Sequence, residues 1–200
     1  MIVINRIEEI EEQRSGRNKN TTINNTYINS GKYRKKFDSI SSDESLNRLL
    51  FQLAKKMLEH RTGTLYEDMY WIDLETMNIV AEETDADVEE EIVYSVKTKR
   101  IIKKYNNLLT IHSHPNSFPP SISDINSNYL NNYSVGIIVC HNGKIYMYSA
   151  DEEISQDYYN LTVAEYLKQG YDECNAQVKA LDEIKKKFNI RFKEVTDNDV

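Results

Sequence analysis

The chain has few cysteines, prolines and glycines: two, three and six of them, respectively, among 200 residues. Cys140 and Cys174 do not form the spacing pattern of a disulfide framework or of a zinc site. Cys140 lies in an apolar run, which predicts a buried thiol. Because disulfide-dependent folds need more cysteines, we expect a reduced, cytoplasmic protein.

Long apolar runs and an excess of positive charge are also absent. No run of about 18 apolar residues exists, so no membrane-spanning helix is predicted. The apolar start at residues 1–5 is too short for a signal peptide. The formal net charge of −7 argues against general nucleic-acid binding, because phosphate backbones attract basic surfaces. The 40% hydrophobic content is sufficient for the core of one domain.

Two of the four histidines follow a predicted buried strand, the apolar run Leu108–Ile111. His112 and His114 project to the same side, because side chains two residues apart share one face of a strand. Asp124 opens a predicted helix that extends to Leu130. Two imidazoles and one carboxylate form the ligand set of a catalytic zinc site with one open position. The alternative is that both histidines are structural.

All three prolines of the chain lie between the histidines and Asp124, at positions 115, 119 and 120. They stiffen this connection, as a fixed ligand geometry requires. The other two histidines are not expected to be ligands. His60 lies at a predicted helix end, where it interacts with the helix dipole, and His141 adjoins a predicted turn and should be exposed.

The segment from His112 to Asp124 resembles the JAB/MPN (JAMM) metalloprotease family, whose motif is a Glu followed by HxH and then SxxD. His112, His114, Ser121 and Asp124 match this motif. Six residues separate His114 from Ser121, one fewer than in the common pattern, and the Pro119-Pro120 pair is expected to absorb the difference. The resemblance covers residues 45–150 and looks like the prokaryotic branch, some of whose members accompany phage or mobile-element genes.

The resemblance implies Zn²⁺ bound by His112, His114 and Asp124, with Ser121 donating a hydrogen bond to the oxyanion. It also implies a general-base Glu just after the first helix. Two residues compete for this role: Glu59, at the end of a predicted helix over residues 43–60, and Glu67, in the predicted strand Leu65–Asp73. Glu67 is favoured, because a strand residue can point across the sheet towards the metal.

The order of predicted elements indicates an α+β fold, and the resemblance makes it a JAB/MPN-like (cytidine-deaminase-like) mixed, curved sheet flanked by helices. We expect an N-terminal helix and flexible arm over residues 1–40, the metalloprotease domain over 41–150 and a helical extension over 151–200. Within these, residues 2–14 are predicted as a helix and 15–36 as the flexible part. A helix is expected over Glu89–Tyr105, and a hairpin with an Asn-Gly turn over Val135–Tyr148.

The function that these observations predict is a zinc metallopeptidase that hydrolyses a peptide or isopeptide bond in a protein substrate. The family resemblance suggests a ubiquitin-like tag or a phage structural protein as the substrate. The alternatives are a non-catalytic MPN-type scaffold and a RadC-like protein, which carries a similar HxHP and SxxD signature. No membrane partner is expected.

Overall fold

A mixed six-stranded β-sheet forms the centre of the fold. The computed structural model describes residues 21–197, so the predicted helix over residues 2–14 lies outside the described part. The strands are β1 (Met69–Asp73), β2 (Asn78–Glu83), β3 (Leu108–His114), β4 (Val135–Cys140), β5 (Ile145–Ala150) and β6 (Ile190–Glu194). Their order in the sheet is β2-β1-β3-β4-β5-β6. Only β3 and β4 run parallel, and the other neighbours are antiparallel. The prediction of an α+β fold with a mixed sheet is confirmed.

Helices flank both faces of this sheet. Within the described residues they are α1 (Asn25–Ile28), α2 (Gly31–Asp38), α3 (Glu44–Arg61), α4 (Val96–Ile102), α5 (Ile122–Leu130), α6 (Gln156–Lys168) and α7 (Glu173–Ile184). Each begins after an Asn, Ser or Asp whose side chain accepts a backbone N–H of the first turn. None of these helices has the length and apolar character needed to cross a bilayer.

The two faces of β3 pack against different elements. Leu109 and Ile111 belong to an apolar cluster with Leu50 and Met57 of the long helix α3. A second cluster on the opposite face joins Ile125 of α5 to strands β4 and β5 and to α7. Strand β3 is therefore buried from both sides, which is typical of a central strand with a parallel neighbour.

The predicted flexible arm is wrong from residue 21 onwards. Helix α2 buries Tyr33 and Phe37, which are 0% and 1% exposed and belong to the same cluster as α3. The Lys36 ammonium donates to the Gly143 carbonyl oxygen at 2.9 Å, so α2 also holds the tip of the β4–β5 hairpin. The polar composition of residues 15–36 obscures Tyr33, which together with Phe37, just beyond this range, forms one face of a helix.

The predicted helical extension is correct for α6 and α7 but wrong at its end. Strand β6 pairs antiparallel with β5, with Phe192 opposite Tyr148, and completes the central sheet. Its sequence Ile-Arg-Phe-Lys-Glu alternates between apolar and charged residues, and the burial alternates with it. The tail beyond residue 150 therefore contributes to the core of the same sheet.

The predicted helix over Glu89–Tyr105 is also shorter in the structure. Helix α4 begins at Val96, after its N-cap Ser95. The preceding residues follow an irregular path, and the Tyr94 ring packs edge-on against Trp71 with centroids 4.9 Å apart. Tertiary packing of Tyr94 therefore overrides the helical tendency of this acidic segment. Below we call residues 84–95 the acidic loop.

Candidate metal centre

Strand β3 places His112 and His114 side by side on one face of the sheet. Their Nε2 atoms lie 3.0 Å apart, and the two residues are 2% and 7% exposed. The Nδ1 atom of His114 lies 3.0 Å from the Phe118 carbonyl oxygen. Because a carbonyl oxygen can only accept, Nδ1 carries a proton, and in the neutral ring the lone pair of Nε2 faces His112. The ring orientation of His114 therefore suits a metal ligand.

Asp124 completes this arrangement from the first turn of α5. Its Oδ1 atom lies 3.3 Å from Nε2 of His112, and its Oδ2 atom lies 3.5 Å from Nε2 of His114. The six-residue connection between His114 and Ser121 is therefore long enough to bring Asp124 to the histidines. Two imidazole nitrogens and a carboxylate oxygen converge, and this donor set fits a zinc ion.

Ser121 holds Asp124 in this position through a capping box. The Ser121 N–H and hydroxyl groups both donate to Oδ2 of Asp124, each at 2.7 Å, and the Asp124 N–H donates to Ser121 Oγ at 3.1 Å. This reciprocal arrangement starts the helix and orients the carboxylate. In the structure, the Ser121 hydroxyl proton thus points to Asp124 rather than into the open cavity.

Glu67 is the glutamate that the fold brings to the histidines. It precedes β1, is 6% exposed, and belongs with His112 and His114 to a group whose candidate ligand atoms all lie within 4.8 Å of one another. Glu59 is exposed on α3 and is not part of that group. The structure therefore places Glu67, and not Glu59, at the predicted site.

Asp68, the residue after Glu67, is bonded on the side of the sheet that faces away from the cavity and so fixes the position of Glu67. Asp68 accepts from Arg61 Nε at 2.6 Å, and its other oxygen lies 2.7 Å from His60 Nδ1. Its backbone N–H donates to Ser113 Oγ, and its carbonyl oxygen accepts the Ser113 N–H, both at 3.0 Å. Ser113 lies between the two histidines, so these bonds fix the Glu67 segment in register with β3.

Burial and neighbouring charges together shift the pKa values of Glu67, His112 and His114. Burial raises the pKa of Glu67 to about 8; His114 opposes this shift, whereas Asp124 and Glu90 add to it. Burial lowers the pKa of His112, and the neighbouring Asp124 opposes this shift. For His114 burial also acts downwards, but Glu67, Asp124 and the Phe118 carbonyl outweigh it and raise the pKa to about 9. The carboxylates therefore favour a positive charge here, which a divalent cation can supply in place of a proton.

The cluster lies on the wall of a cavity of about 510 Å³. The cavity is bounded by β3, α5 and the acidic loop, and its wall includes all five of the predicted site residues: Glu67, His112, His114, Ser121 and Asp124. A cavity of this volume lies within the range of ligand-binding sites, and the cluster is accessible from it.

The prediction that His141 is exposed is wrong. His141 is 2% exposed, and its Nδ1 atom lies 2.5 Å from the Thr21 carbonyl oxygen. The N-terminal segment that sequence patterns assigned to a flexible arm covers this turn. His60 lies in the last turn of α3, as predicted, and contacts Asp68.

The polar residues of the cavity wall that no sequence pattern predicted as part of the site include Asn128, Glu90 and Glu91. Asn128 follows Asp124 by four residues on α5, so the same helix face carries both side chains; this spacing was visible in the sequence. Glu90 and Glu91 belong to an acid-rich run that had no recognisable metal-binding spacing. Their placement depends on the path of the acidic loop, which no local pattern indicates.

Comparisons of the chain with protein-family models, with curated proteins and with solved structures found no match in any of the three. The geometry of this centre is therefore the main indication of what the protein does.

Proposed function

We propose that this protein is a zinc-dependent metallopeptidase of the JAB/MPN (JAMM) type that hydrolyses a peptide or isopeptide bond in a protein substrate. One observation carries the proposal: the facing imidazoles of His112 and His114 meet the Asp124 carboxylate and the buried Glu67 on the wall of a cavity. The order of elements, with the histidines at the end of β3 and Asp124 at the start of the next helix, supports a JAB/MPN-like fold.

His112, His114 and Asp124 would hold the zinc ion. When bound, zinc supplies Lewis acidity, which lowers the pKa of water and polarises a substrate carbonyl group. The protein contributes the rigidity of the donor set. The Phe118 carbonyl orients His114 and the capping box of Ser121 orients Asp124, so the ligands need little rearrangement.

Glu67 would accept the proton of the attacking water and pass it to the leaving amine. Burial gives the Glu67 carboxylate a high proton affinity. The backbone bonds of Asp68 keep Glu67 beside the two histidines, while Asp124 is the carboxylate in direct contact with both. Ser121 would donate to the oxyanion. For this its hydroxyl turns from Asp124 to the substrate, while the Ser121 N–H continues to hold Asp124.

The first test is the zinc content of the purified protein by elemental analysis, alongside His114→Ala and Asp124→Ala. We expect about one zinc per chain, lost in both variants, because each substitution leaves only two of the three proposed ligands. A protein that takes up no zinc after reconstitution would contradict the proposal.

The second test is cleavage of ubiquitin-like fusions, of phage structural proteins and of peptide libraries by the zinc-loaded protein. Glu67→Gln should retain zinc and lose turnover by at least about a hundredfold, as removal of a general base predicts. Glu59→Gln is the matched control and should behave like the wild type, because Glu59 is exposed on α3.

A non-catalytic scaffold is the second candidate, and one observation favours it. Asp124 contacts both histidines directly, and Ser121 satisfies the same carboxylate, so the cluster is a connected polar network without a metal. A scaffold needs no zinc, so the stoichiometry measurement separates the two candidates.

A further inference from the structure

The cavity wall continues beyond the proposed metal centre with uncharged polar side chains. Thr110 precedes His112 by two residues on the same face of β3, and Asn128 follows Asp124 by one turn of α5. Two residues of strand and one turn of helix each span about 6–7 Å. Both elements therefore place a second group of side chains at a similar distance from the metal ligands. This group consists of Thr110, Asn128, Tyr133 and Tyr148, and we call it the hydroxyl subsite.

Tyr148 reaches the hydroxyl subsite because its ring crosses a glycine. Gly136 of β4 pairs with Thr110 on one side and with Tyr148 of β5 on the other. A Cβ atom at Gly136 would lie 2.2 Å from Cζ of Tyr148 and 2.6 Å from its hydroxyl oxygen, so the ring fills the space above this position. Burial raises the pKa of Tyr148, and the Thr110 hydroxyl opposes this shift. The glycine thus allows the two hydroxyl groups to approach each other across β4.

Asn128 supplies an independent indication of a ligand. It is 1% exposed and lines the cavity. Its Oδ1 atom accepts the Ala150 N–H at 3.0 Å, which fixes the orientation of the amide, and its Nδ2 atom has no hydrogen-bond partner within residues 21–197. A buried donor without a partner is costly, and an acceptor on a bound ligand removes this cost.

The donors and acceptors of the hydroxyl subsite are complementary to a carboxamide group. The Asn128 amide nitrogen can only donate, whereas the hydroxyl groups of Thr110 and Tyr148 can also accept. A carboxamide offers one carbonyl acceptor and one NH₂ donor. A carboxylate has no proton to donate, and no Lys or Arg of the described chain lines the cavity to offset its charge. An apolar side chain would leave Asn128 unpaired, and a site built for hydrogen bonds discriminates strongly against such a ligand.

We propose that the hydroxyl subsite binds the carboxamide side chain of a Gln or Asn residue that flanks the bond presented to the metal centre. Asn128 donates to the carboxamide oxygen, and the hydroxyl oxygens of Thr110 and Tyr148 accept from its NH₂ group. Adjacent Cα atoms are about 3.8 Å apart, so a side chain of this length on the neighbouring residue spans the remaining distance to the subsite. The role in cleavage preference rests on the proposed function, whereas binding itself can be measured without turnover.

The experiment uses zinc-loaded Glu67→Gln protein and three fluorescein-labelled pools of octapeptides, with Gln, Met or Glu fixed at the central position. The other positions are degenerate but exclude Gln and Asn. Met has nearly the size of Gln without its amide, and Glu has its shape with a negative charge. Fluorescence anisotropy should show that the Gln pool binds about tenfold more tightly than the Met pool, as the loss of two neutral hydrogen bonds predicts. The Glu pool should also bind more weakly than the Gln pool. Equal binding of the three pools, or binding of none, would overturn the proposal.

Asn128→Asp tests the unpaired donor, because Asp keeps an oxygen for the Ala150 N–H and loses the amide nitrogen. It should lower the ratio of Gln-pool to Met-pool affinity by about fivefold to tenfold. Asn126→Asp is the control. Asn126 lies on the same helix outside the cavity wall, and both ends of its amide are bonded to the Ile154 backbone, at 2.9 and 2.8 Å, so its loss is structural and should leave the ratio unchanged. A ratio that Asn128→Asp does not alter contradicts the assigned contact.

Tyr148→Phe tests the hydroxyl side of the subsite while the ring remains above Gly136. It should lower the Gln-to-Met ratio by about threefold, the scale of one neutral hydrogen bond. Tyr146→Phe is the matched control. Tyr146 is a buried residue on the same face of β5, but it does not line the cavity and its hydroxyl has no partner within the described residues. Both variants should keep their zinc. Equal ratios in the two variants would show that the Tyr148 hydroxyl does not contact the ligand.

The same pools presented to the wild-type protein separate the two proposals. Binding with a Gln preference but without cleavage contradicts the proposed hydrolysis and leaves the hydroxyl subsite intact. Cleavage of all three pools at the same rate contradicts the carboxamide preference and supports the hydrolase.

Discussion

The two faces of β3 have opposite characters along the same seven residues. On one face Leu109 and Ile111 pack into the apolar cluster under α3. On the other face Thr110, His112 and His114 line the cavity. Alternation along a single strand thus places stability and proposed chemistry on adjacent residues, and a substitution on one face should leave the other property largely unchanged.

Ser113 is the exception that joins the two faces. It lies on the side of Leu109 and Ile111, yet it is bonded to the Asp68 backbone, and Asp68 in turn is bonded to Arg61 and His60. The apolar face of β3 therefore ends at a polar network formed by Ser113, Asp68 and Arg61. This network fixes the segment that carries Glu67, whose side chain lies on the cavity side. The difference between the faces is sharpest in the middle of the strand and weakest at its end.

The largest expected effect is the difference between a substitution on the apolar face of β3 and one on the cavity face. Ile111→Ala should destabilise the metal-free protein by about 2–5 kcal/mol, because it leaves a cavity in the core, and the folded protein should still bind zinc. His112→Ala should abolish zinc binding with a smaller loss of stability. Urea unfolding and elemental analysis of both variants provide the measurements. Equal losses of zinc in the two variants would refute the idea that zinc binding depends on the cavity face alone.

The next effect tests the link between the faces. Asp68→Ala should destabilise the protein by about 3 kcal/mol, because it leaves the buried Arg61 guanidinium without its partner. It should also lower turnover while zinc is retained, since the segment of Glu67 loses the side-chain bonds to Arg61 and His60 and keeps only the backbone bonds to Ser113. The control is Lys56→Gln, which removes an exposed ion pair with Glu82 and should change stability by less than about 0.5 kcal/mol. Unfolding curves and zinc content check both.

Ser121→Ala is expected to act mainly on the cavity side. Loss of the cap should cost about 1 kcal/mol of stability. Loss of the hydroxyl bond to Asp124 should weaken zinc binding by about 10-fold to 100-fold, as for other groups that orient a metal ligand. Competition with a chromophoric chelator measures the zinc affinity. An unchanged affinity would show that the Ser121 N–H alone orients Asp124.

The smallest expected effect concerns the competing glutamate. Glu59→Gln should change the free energy of unfolding by less than about 0.5 kcal/mol and should leave the zinc content unchanged, because the Glu59 side chain is exposed. The measurement is the same pair of assays, run beside Glu67→Gln. A loss of turnover in Glu59→Gln with normal turnover in Glu67→Gln would reverse the proposed assignment of the base.

Local patterns were sufficient for the parts of the fold and site that depend on neighbouring residues. The i, i+2 spacing of His112 and His114 determines their common face, and the Asn142-Gly143 turn determines the β4–β5 hairpin. The competition between Glu59 and Glu67 could not be decided in this way. It depends on the pairing of Met69 with His112, which lies 43 positions further along the chain.

The errors share a physical cause. His141 was predicted as exposed because it adjoins a turn, but the Thr21 carbonyl that covers it is 120 residues away. The polar neighbours of Tyr33 predict a flexible arm, yet the burial of Tyr33 and Phe37 outweighs the polarity of the exposed basic residues around them in the free energy of packing. Burial of this kind arises from long-range contacts, which a local window of sequence does not contain.

The proline-containing connection between His114 and Ser121 has a consequence for the maturation of the protein. Proline rings restrict the unfolded chain. In the folded chain His114 donates to the Phe118 carbonyl and Ser121 donates to Asp124, so both proposed ligands are held in place. Within residues 21–197, none of the three apolar clusters includes His112 or His114. We therefore expect the chain to fold first and to acquire its metal afterwards, so that chelation should silence the protein without unfolding it and restored metal should reactivate it without a refolding step.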